Sequence, residues 1–344
     1  MRNPNRCISS GDEFGWPGEE ELGLEPPGAR VGPGPGAGVG PGPGARVGPG
    51  PGAVHTAQVV DEAPTVEVAA SEVSLTDGQD FSAEGHHACE ELCSTESVFG
   101  HLAITYLHYS SLKDGARLSD PVLHLALHQV YAEYAANCGE AVHIFPSAFY
   151  SCLSGQQVST GGEEERRERE AGLTLEEVRH RRVARWTRNV TLMDKTLIIF
   201  PIYLADTEHW LLAVAVQGAE PLVMMLDSKG ARRWEEAEVL AAYLEEERRV
   251  RGDQELAYWT RNIEVPRQGD HYNSGIFLIM FVENILSDPD TFIARAREDS
   301  LATWFDTSVV AGQRRRWREE VERLAGRQGR RVGPCCTSPT SGSG

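Results

Sequence analysis

Continuous apolar runs between residues 196 and 227 predict three adjacent strands. The run TLIIFPIY is followed by HWLLAVAV and PLVMMLD, and each has the length and the aliphatic content of a buried strand. Residues 217–220, a four-residue segment with one glycine, separate the last two runs and predict a hairpin. The run YWTRNIEV near residue 260 predicts a further strand.

Helical patterns flank these strands. SDPVLHLALHQVYAEYAA predicts a core helix with Ser119 as its N-cap and Pro121 in its first turn. A second helix is expected at about 234–251, and SGIFLIMFVENIL, apolar nearly all round, predicts a helix buried within the domain. A heavily charged helix at about 314–324 is expected to be peripheral, and the charged insertion 155–182 to form an exposed loop or helix.

The two ends of the chain differ from this region in composition. Residues 28–51 repeat a Gly-Pro octapeptide that lacks the residues needed for a core, and residues 54–97 are acidic. We therefore predict a disordered extension over residues 1–97, one domain over 98–325 and a flexible tail over 326–344. The segment HHACEELC, which ends at Cys93, has no second ligand pair, so we predict no metal site.

Charge and cysteine usage narrow the class of protein. The 344 residues include 33 Lys and Arg against 51 Asp and Glu, and a net charge of −18 is unfavourable for binding nucleic acid. The apolar runs are too short to cross a bilayer and the N-terminus lacks a secretory pattern, so we expect no membrane contact and a location in the nucleus or cytoplasm. Seven scattered cysteines favour reduced thiols over a disulfide framework.

His209 and Asp227 lie near each other at the open end of the predicted hairpin. His209 begins one strand and Asp227 ends the next, and with a loop of 217–220 the two are one position away from direct pairing. Neighbouring positions on a strand point to opposite faces, so a hydrogen bond between these side chains requires a bulge or a slightly shifted loop.

Ser274 and Gly275 begin the buried helix. The helix dipole and the unpaired N–H groups at this end favour negative charge on a nucleophile. Serine is also among the most common helix caps, so the pattern alone leaves both a nucleophile and a simple N-cap open for Ser274. A His before Trp and an Asp at a strand end are likewise compatible with structural roles as well as with a catalytic triad.

Several separated blocks resemble one protein family. LSDPVLHLAL, IFPSAFYSCL, RRVARWTRNVTLMDKTLIIFPI, EHW, LDS and PRQGDHYNSGIFLIMF are similar, in this order, to the Ulp/SENP proteases of ubiquitin-like proteins. The resemblance implies an α+β, papain-like fold with a central mixed sheet and packed helices. It also implies thiol hydrolysis of SUMO precursors or of SUMO–lysine isopeptide bonds, without a cofactor.

The resemblance also implies roles for individual residues. It makes His209 the general base, Asp227 the acid that orients it, and Ser274 the residue at the nucleophile position. Gln268, six positions before Ser274, corresponds to the oxyanion-hole glutamine.

Three further residues correspond to the substrate-binding part of the family's site. Trp210 matches the aromatic neighbour of the base, and Gly275 follows the nucleophile position. Arg117 occupies the position of the tryptophan that covers the Gly-Gly tail of the substrate, so the channel for that tail lacks its usual lid.

The nucleophile itself departs from the family pattern. Family members have Asp-Cys-Gly where this chain has Asn273-Ser274-Gly275. A hydroxyl ionises far less readily than a thiol, whose free pKa is about 8.5, so we expect hydrolysis to be absent or very slow. Other changes in the same loop argue against an engineered Cys-to-Ser exchange.

The sequence is therefore compatible with two functions. The first is a SUMO-specific protease and isopeptidase scaffold for proteolysis and deSUMOylation, with activity lost or much reduced. The alternative is a pseudoprotease that binds a SUMO-like modifier without cleaving it. In both cases the expected partner is SUMO or another ubiquitin-like modifier with its conjugates, and the expected state is a monomer.

Overall fold

A six-stranded mixed sheet lies at the centre of the structure, a computed structural model that describes residues 7–8, 88–156, 161–298 and 301–330. The strands are β1 (Cys7–Ile8), β2 (Glu91–Ser97), β3 (Gly100–Thr105), β4 (Val142–Ile144), β5 (Leu197–Leu204), β6 (His209–Val216), β7 (Leu222–Leu226) and β8 (Trp259–Ile263). The spatial order is β1-β8-β7-β6-β5-β4, and β2 and β3 form a separate hairpin. Strands β5, β6 and β7 pair antiparallel, whereas β4–β5, β7–β8 and β1–β8 are parallel pairs.

Strands β6 and β7 are buried over their whole length. Alternate side chains of a strand point to opposite faces, and both faces of these strands are covered. Leu212 and Val214 enter one core cluster, and Leu211 and Ala213 enter the other. This double burial is the reason that the strands are continuous apolar runs rather than alternating patterns.

Helices from several parts of the chain cover the sheet. They are α1 (Tyr106–Ser110), α2 (Asp120–Cys138), α3 (Ala148–Ser154), α4 (Gly161–Glu170), α5 (Leu175–Val183), α6 (Trp234–Arg251), α7 (Ser274–Ser287), α8 (Pro289–Arg297) and α9 (Val310–Arg327). Helices α2, α7 and α9 contribute to the first core cluster, and α3 and α6 contribute to the second. None of the described helices is long and apolar enough to cross a membrane.

The predicted helices of the core are confirmed. Helix α2 begins directly after Ser119, whose carbonyl accepts a hydrogen bond from Leu123 N at 3.0 Å. Helix α6 has the predicted bounds. The first nine residues of α7 are all buried, as its all-round apolar sequence indicated.

Ordered structure begins earlier than residue 98. Strand β2 pairs with β3, and Leu92 and Cys93 of β2 are fully buried in the core. The hairpin therefore includes residues that the sequence assigned to the disordered extension. The remainder of that extension, apart from residues 7–8 and 88–90, lies outside the described residues, as does the tail from residue 331.

Two charged segments pack more closely than predicted. Within the insertion, α5 buries Val178 and His180, and it buries Val183 directly after the insertion, so this part is not simply an exposed helix. Helix α9 is amphipathic and contributes to the core, because it places Trp317 and Val321 there. Both corrections have the same cause: a few apolar residues at helical spacing determine which face is buried, whatever the overall charge.

Candidate active site

His209 and Asp227 form a buried hydrogen-bonded pair at one end of the sheet. His209 is the first residue of β6, and Asp227 directly follows β7. Nε2 of His209 lies 2.7 Å from Oδ1 of Asp227, and both side chains are almost completely shielded from solvent. The two residues predicted to act together are thus in direct contact.

The register of the β6–β7 hairpin explains how these side chains meet. Val216 pairs with Leu222, so the loop comprises residues 217–221 and is one residue longer than predicted. This shift places His209 and Asp227 two positions out of direct pairing instead of one, and therefore on the same face. The shifted loop that the sequence required is present.

Both carboxylate oxygens of Asp227 accept hydrogen bonds. Oδ1 also accepts the backbone N–H of Lys229 at 2.8 Å, and Oδ2 accepts Nε of Arg233 at 2.7 Å. Burial acts to raise the pKa of Asp227, but the hydrogen bonds from His209, Arg233 and Lys229 outweigh it and lower the pKa below its usual value. The carboxylate is therefore ionised at neutral pH.

The ionised Asp227 fixes the tautomer of His209. Nε2 must carry the proton to donate to the carboxylate, which leaves the lone pair of a neutral imidazole on Nδ1. Nδ1 is buried and has no hydrogen-bond partner among the described residues. This nitrogen can accept a proton from a reacting group.

Ser274 is the first residue of α7 and is buried, with 3% of its surface exposed. The N-cap position belongs to Asn273, so the interpretation of Ser274 as a simple N-cap is wrong. Its Oγ accepts a hydrogen bond from the backbone N–H of Trp210 at 3.2 Å. Through this bond the start of α7 is joined to the residue that follows His209.

Gln268 lies in the loop before Ser274, and its side-chain amide is already engaged. Oε1 accepts a hydrogen bond from Oγ of Ser228, and Nε2 donates to the carbonyl of Asp270 at 2.8 Å. The carboxylate of Asp270 in turn accepts the backbone N–H groups of Tyr272 and Asn273. The loop is therefore held by its own hydrogen bonds, and Nε2 of Gln268 carries a second N–H that can donate to an oxyanion.

The three predicted tail-binding residues converge on one wall of the site. Nε1 of Trp210 donates to the carbonyl of Leu118 at 3.0 Å, and Arg117 forms an ion pair with Glu208. A Cβ on Gly275 would lie 2.8 Å from Cβ of Leu118 and 3.1 Å from Cδ1 of Trp210. The absence of a side chain at Gly275 thus permits the close approach of these two residues to α7.

Glu208 adopts an unusual backbone conformation. It has a φ of 46° and is the one non-glycine residue with positive φ within the described ranges. Left-handed conformations of such residues are strained and are concentrated at functional sites. The strain sits directly before His209, in the residue that pairs with Arg117.

Sequence reasoning missed two arginines at this site. Arg233 binds Asp227, and Arg314 of α9 donates to Oδ1 of Asn273. Arg314 could have been found from the helical spacing it shares with buried residues of α9, whereas Arg233 carries no such signal.

Comparison with known proteins identifies related domains. Residues 117–322, more than half of the chain, match the Ulp1 protease family, C-terminal catalytic domain. The chain is similar to sentrin-specific protease 7 of Mus musculus, with 24% identity over 293 residues that cover 65% of this chain and 27% of the relative. It is also similar to sentrin-specific protease 2 of Homo sapiens, with 27% identity over 218 residues that cover 61% of this chain and 32% of the relative.

The curated relatives are longer proteins, of which the matched region spans about a third or less. Among solved structures, a crystal structure of a de-sumoylating protease superposes with a TM-score of 0.50 and 16% identity, and covers 69% of this chain and 87% of the other. This likeness confirms the predicted α+β fold with a central mixed sheet and packed helices.

Proposed function

The chain belongs to the Ulp1 protease family, and on this premise we propose that it binds SUMO or another ubiquitin-like modifier and its conjugates, with Ser274 at the nucleophile position. The observation that carries the proposal is the buried hydrogen bond of 2.7 Å between His209 and Asp227, one residue from the amide that binds Ser274. In this proposal the site is a SUMO-specific protease and isopeptidase site for proteolysis and deSUMOylation, with turnover lost or strongly reduced.

The proposed residues divide the chemistry of a cysteine-type peptidase among them. Nδ1 of His209 would take the proton of the nucleophile, and Asp227 would stabilise the resulting imidazolium. Gln268 and the backbone N–H of Ser274 would donate to the oxyanion. Trp210, Arg117 and Gly275 would form the channel for the modifier's tail.

Serine at the nucleophile position limits the rate. A thiol transfers its proton to imidazole before attack, whereas a hydroxyl must lose its proton during attack. Loss of a nucleophile from such a unit removes several orders of magnitude in rate. We therefore propose that the chain cleaves a bound modifier at a strongly reduced rate or not at all.

The second candidate is a pseudoprotease that binds the modifier without any cleavage. The ion pair of Arg117 with Glu208, in place of an aromatic lid, favours it.

Cleavage of a SUMO–fluorophore by the full chain and by its Ser274→Cys variant tests these proposals. We expect cleavage by the variant to exceed that of the parent by about 10³-fold or more, with similar binding of uncleaved SUMO by both. A double variant that adds His209→Ala serves as the control, because it should lose the gained activity and retain binding.

Each outcome of this assay has a defined meaning. Activity of the unsubstituted chain that His209→Ala abolishes would show a working serine hydrolase. Binding without cleavage by either protein would establish the pseudoprotease. Neither binding nor cleavage would refute the assignment of a SUMO-like partner.

We also propose that the chain acts as a monomer in the nucleus or cytoplasm, without contact to nucleic acid or membranes. Light scattering behind a sizing column tests the monomer, and a molar mass near twice 37.8 kDa would refute it. Imaging of a fluorescent fusion tests the location. A signal that coincides with a membrane marker would refute the proposed nuclear or cytoplasmic location.

A further inference from the structure

Arg314 is a buried arginine on α9 whose donors bind the segments that precede Arg117 and Ser274. Only 2% of its surface is exposed. Its guanidinium donates to Oδ1 of Asn273 at 2.8 Å and to the carbonyls of Ser111 (2.9 Å), Lys113 (3.0 Å), Ala116 (2.5 Å) and Tyr272 (3.2 Å). It also lies over the ring of Tyr272, at 5.4 Å from the centroid.

These contacts join two walls of the candidate site to the last helix. The first wall is the segment 111–116, which leads into Arg117 and Leu118. The second is Tyr272–Asn273, which leads into Ser274. Because Arg314 binds four carbonyls and one side chain of these segments, its loss would release both walls at once.

The charge of Arg314 has no directly bonded counter-charge. No carboxylate oxygen of the described residues forms an ion pair with this guanidinium, and its partner Asn273 is neutral. Burial accordingly lowers the pKa of Arg314, although an arginine remains protonated. A fixed positive charge thus lies beside the N-terminus of α7, where the helix dipole has the same sign.

We infer that Arg314 is the positioning residue of the candidate site: it holds both walls in place and supplies a positive charge at the first turn of α7. The inference rests on the proposed function, because it is that function which gives Ser274 a role in the site. Its physical content is measurable on the chain alone, without any modifier.

A thiol introduced by Ser274→Cys is the probe for this charge. Other charged or titratable groups on the segments around it are Lys113, Asp114, His209, Asp227, Asp270, His271, Tyr272 and the pair of Arg117 with Glu208. Asp227 and Asp270 raise the pKa of such a thiol, whereas Arg314 lowers it. All of these groups are unchanged in the variants of residue 314, so a difference in thiol pKa between them reports on Arg314.

The measurement is the pH dependence of iodoacetamide alkylation at position 274 in the full chain, read by mass spectrometry. Arg314→Met in the Ser274→Cys background should raise the thiol pKa by about one unit, which slows alkylation about tenfold at neutral pH. Arg314→Lys keeps the charge and should restore most of the pKa, but not the thermal stability. Arg315→Met, an exposed neighbour on the same helix, is the matched control and should change neither quantity.

Arg314→Gln separates charge from position. The amide of Gln carries no charge but can still donate to the neighbouring carbonyls, so this variant should raise the thiol pKa as Arg314→Met does and lower the melting temperature less. It also keeps the test decisive if Arg314→Met does not fold. An unchanged thiol pKa in both Arg314→Gln and Arg314→Met, or in Arg314→Gln alone if the other is unfolded, would overturn the inference. A shifted pKa together with no binding of SUMO would support the inference and refute only the proposed function.

Discussion

Replacement of Gly275 by alanine tests the packing that brings Leu118 and Trp210 onto α7. The new Cβ would lie 2.8 Å from Cβ and 3.0 Å from Cδ2 of Leu118, and 3.1 Å from Cδ1 of Trp210. The Cβ of Leu118 is attached to backbone and cannot rotate away, so the segment at 118 or the helix must shift. Overpacking of this kind costs about 1–3 kcal/mol.

Alanine also improves helix propensity, which works in the opposite direction. The gain over glycine is at most about 1 kcal/mol, so the net loss in the free energy of unfolding for Gly275→Ala is about 0–2 kcal/mol. Gly312 in α9 provides the matched control, because a Cβ there meets no atom within 4 Å. Both substitutions make the same propensity gain, and their difference therefore isolates the overpacking of about 1–3 kcal/mol.

Denaturant unfolding followed by tryptophan fluorescence measures both variants. We expect Gly312→Ala to be slightly more stable than the parent and Gly275→Ala to be the less stable of the two, with similar dependence on denaturant. If Gly275→Ala is as stable as Gly312→Ala, the close approach of Leu118 to α7 is not a constraint on this fold.

Three further predictions concern charge and reactivity. Asp227→Asn should cost about 3 kcal/mol at pH 7, because it removes the buried negative charge that binds both His209 and Arg233. Since the pKa of Asp227 is lowered in the folded state, its contribution is complete above the unfolded value of about 3.9 and is lost as the pH falls through the folded value. Unfolding curves at several pH values should therefore show that the difference in the free energy of unfolding between parent and variant disappears below about pH 4. A difference that does not change with pH would contradict this. Arg117→Ala removes an exposed ion pair with Glu208 and should change stability by less than about 1 kcal/mol; a larger loss would show that the pair holds the wall together. Burial, assisted by neighbouring carboxylates, raises the pKa of Cys93 to about 11, so at pH 8 mass spectrometry should find it alkylated much more slowly than exposed Cys89, and equal rates would refute its burial.

The strands and core helices could be predicted because their signals are local. β5, β6 and β7 are continuous apolar runs, and α6 has an apolar stripe that defines its bounds. The sequence predicted the register of the β6–β7 hairpin only to within one residue, because a loop of four or five residues leaves the same apolar pattern on either side. It therefore could not show whether the side chains of His209 and Asp227 lie on the same face. A bulge or a shifted loop is nevertheless the condition that the pairing positions set for their contact.

The contacts made by α9 could not be predicted from its charge. Its buried residues are Val310, Arg314, Trp317, Val321 and Ala325. This is a helical stripe with an arginine in its middle, and the heavy charge of the segment is the reason that the sequence predicted a peripheral helix. Three of the acceptors of Arg314 are backbone carbonyls 198 to 203 positions earlier, which no local pattern reveals.

The contacts between α9 and the candidate site have a consequence for the order in which parts of the chain fold. Arg314 reaches Ser111 across 203 positions, and Sγ of Cys93 approaches the carbonyl of Val321 across 228. Contacts of such long range form late in folding, since a large loop must close before they are made. A growing chain can therefore complete its sheet and α7 while both walls of the site are still loose. The site acquires its final geometry only when the last helix has been synthesised and has docked.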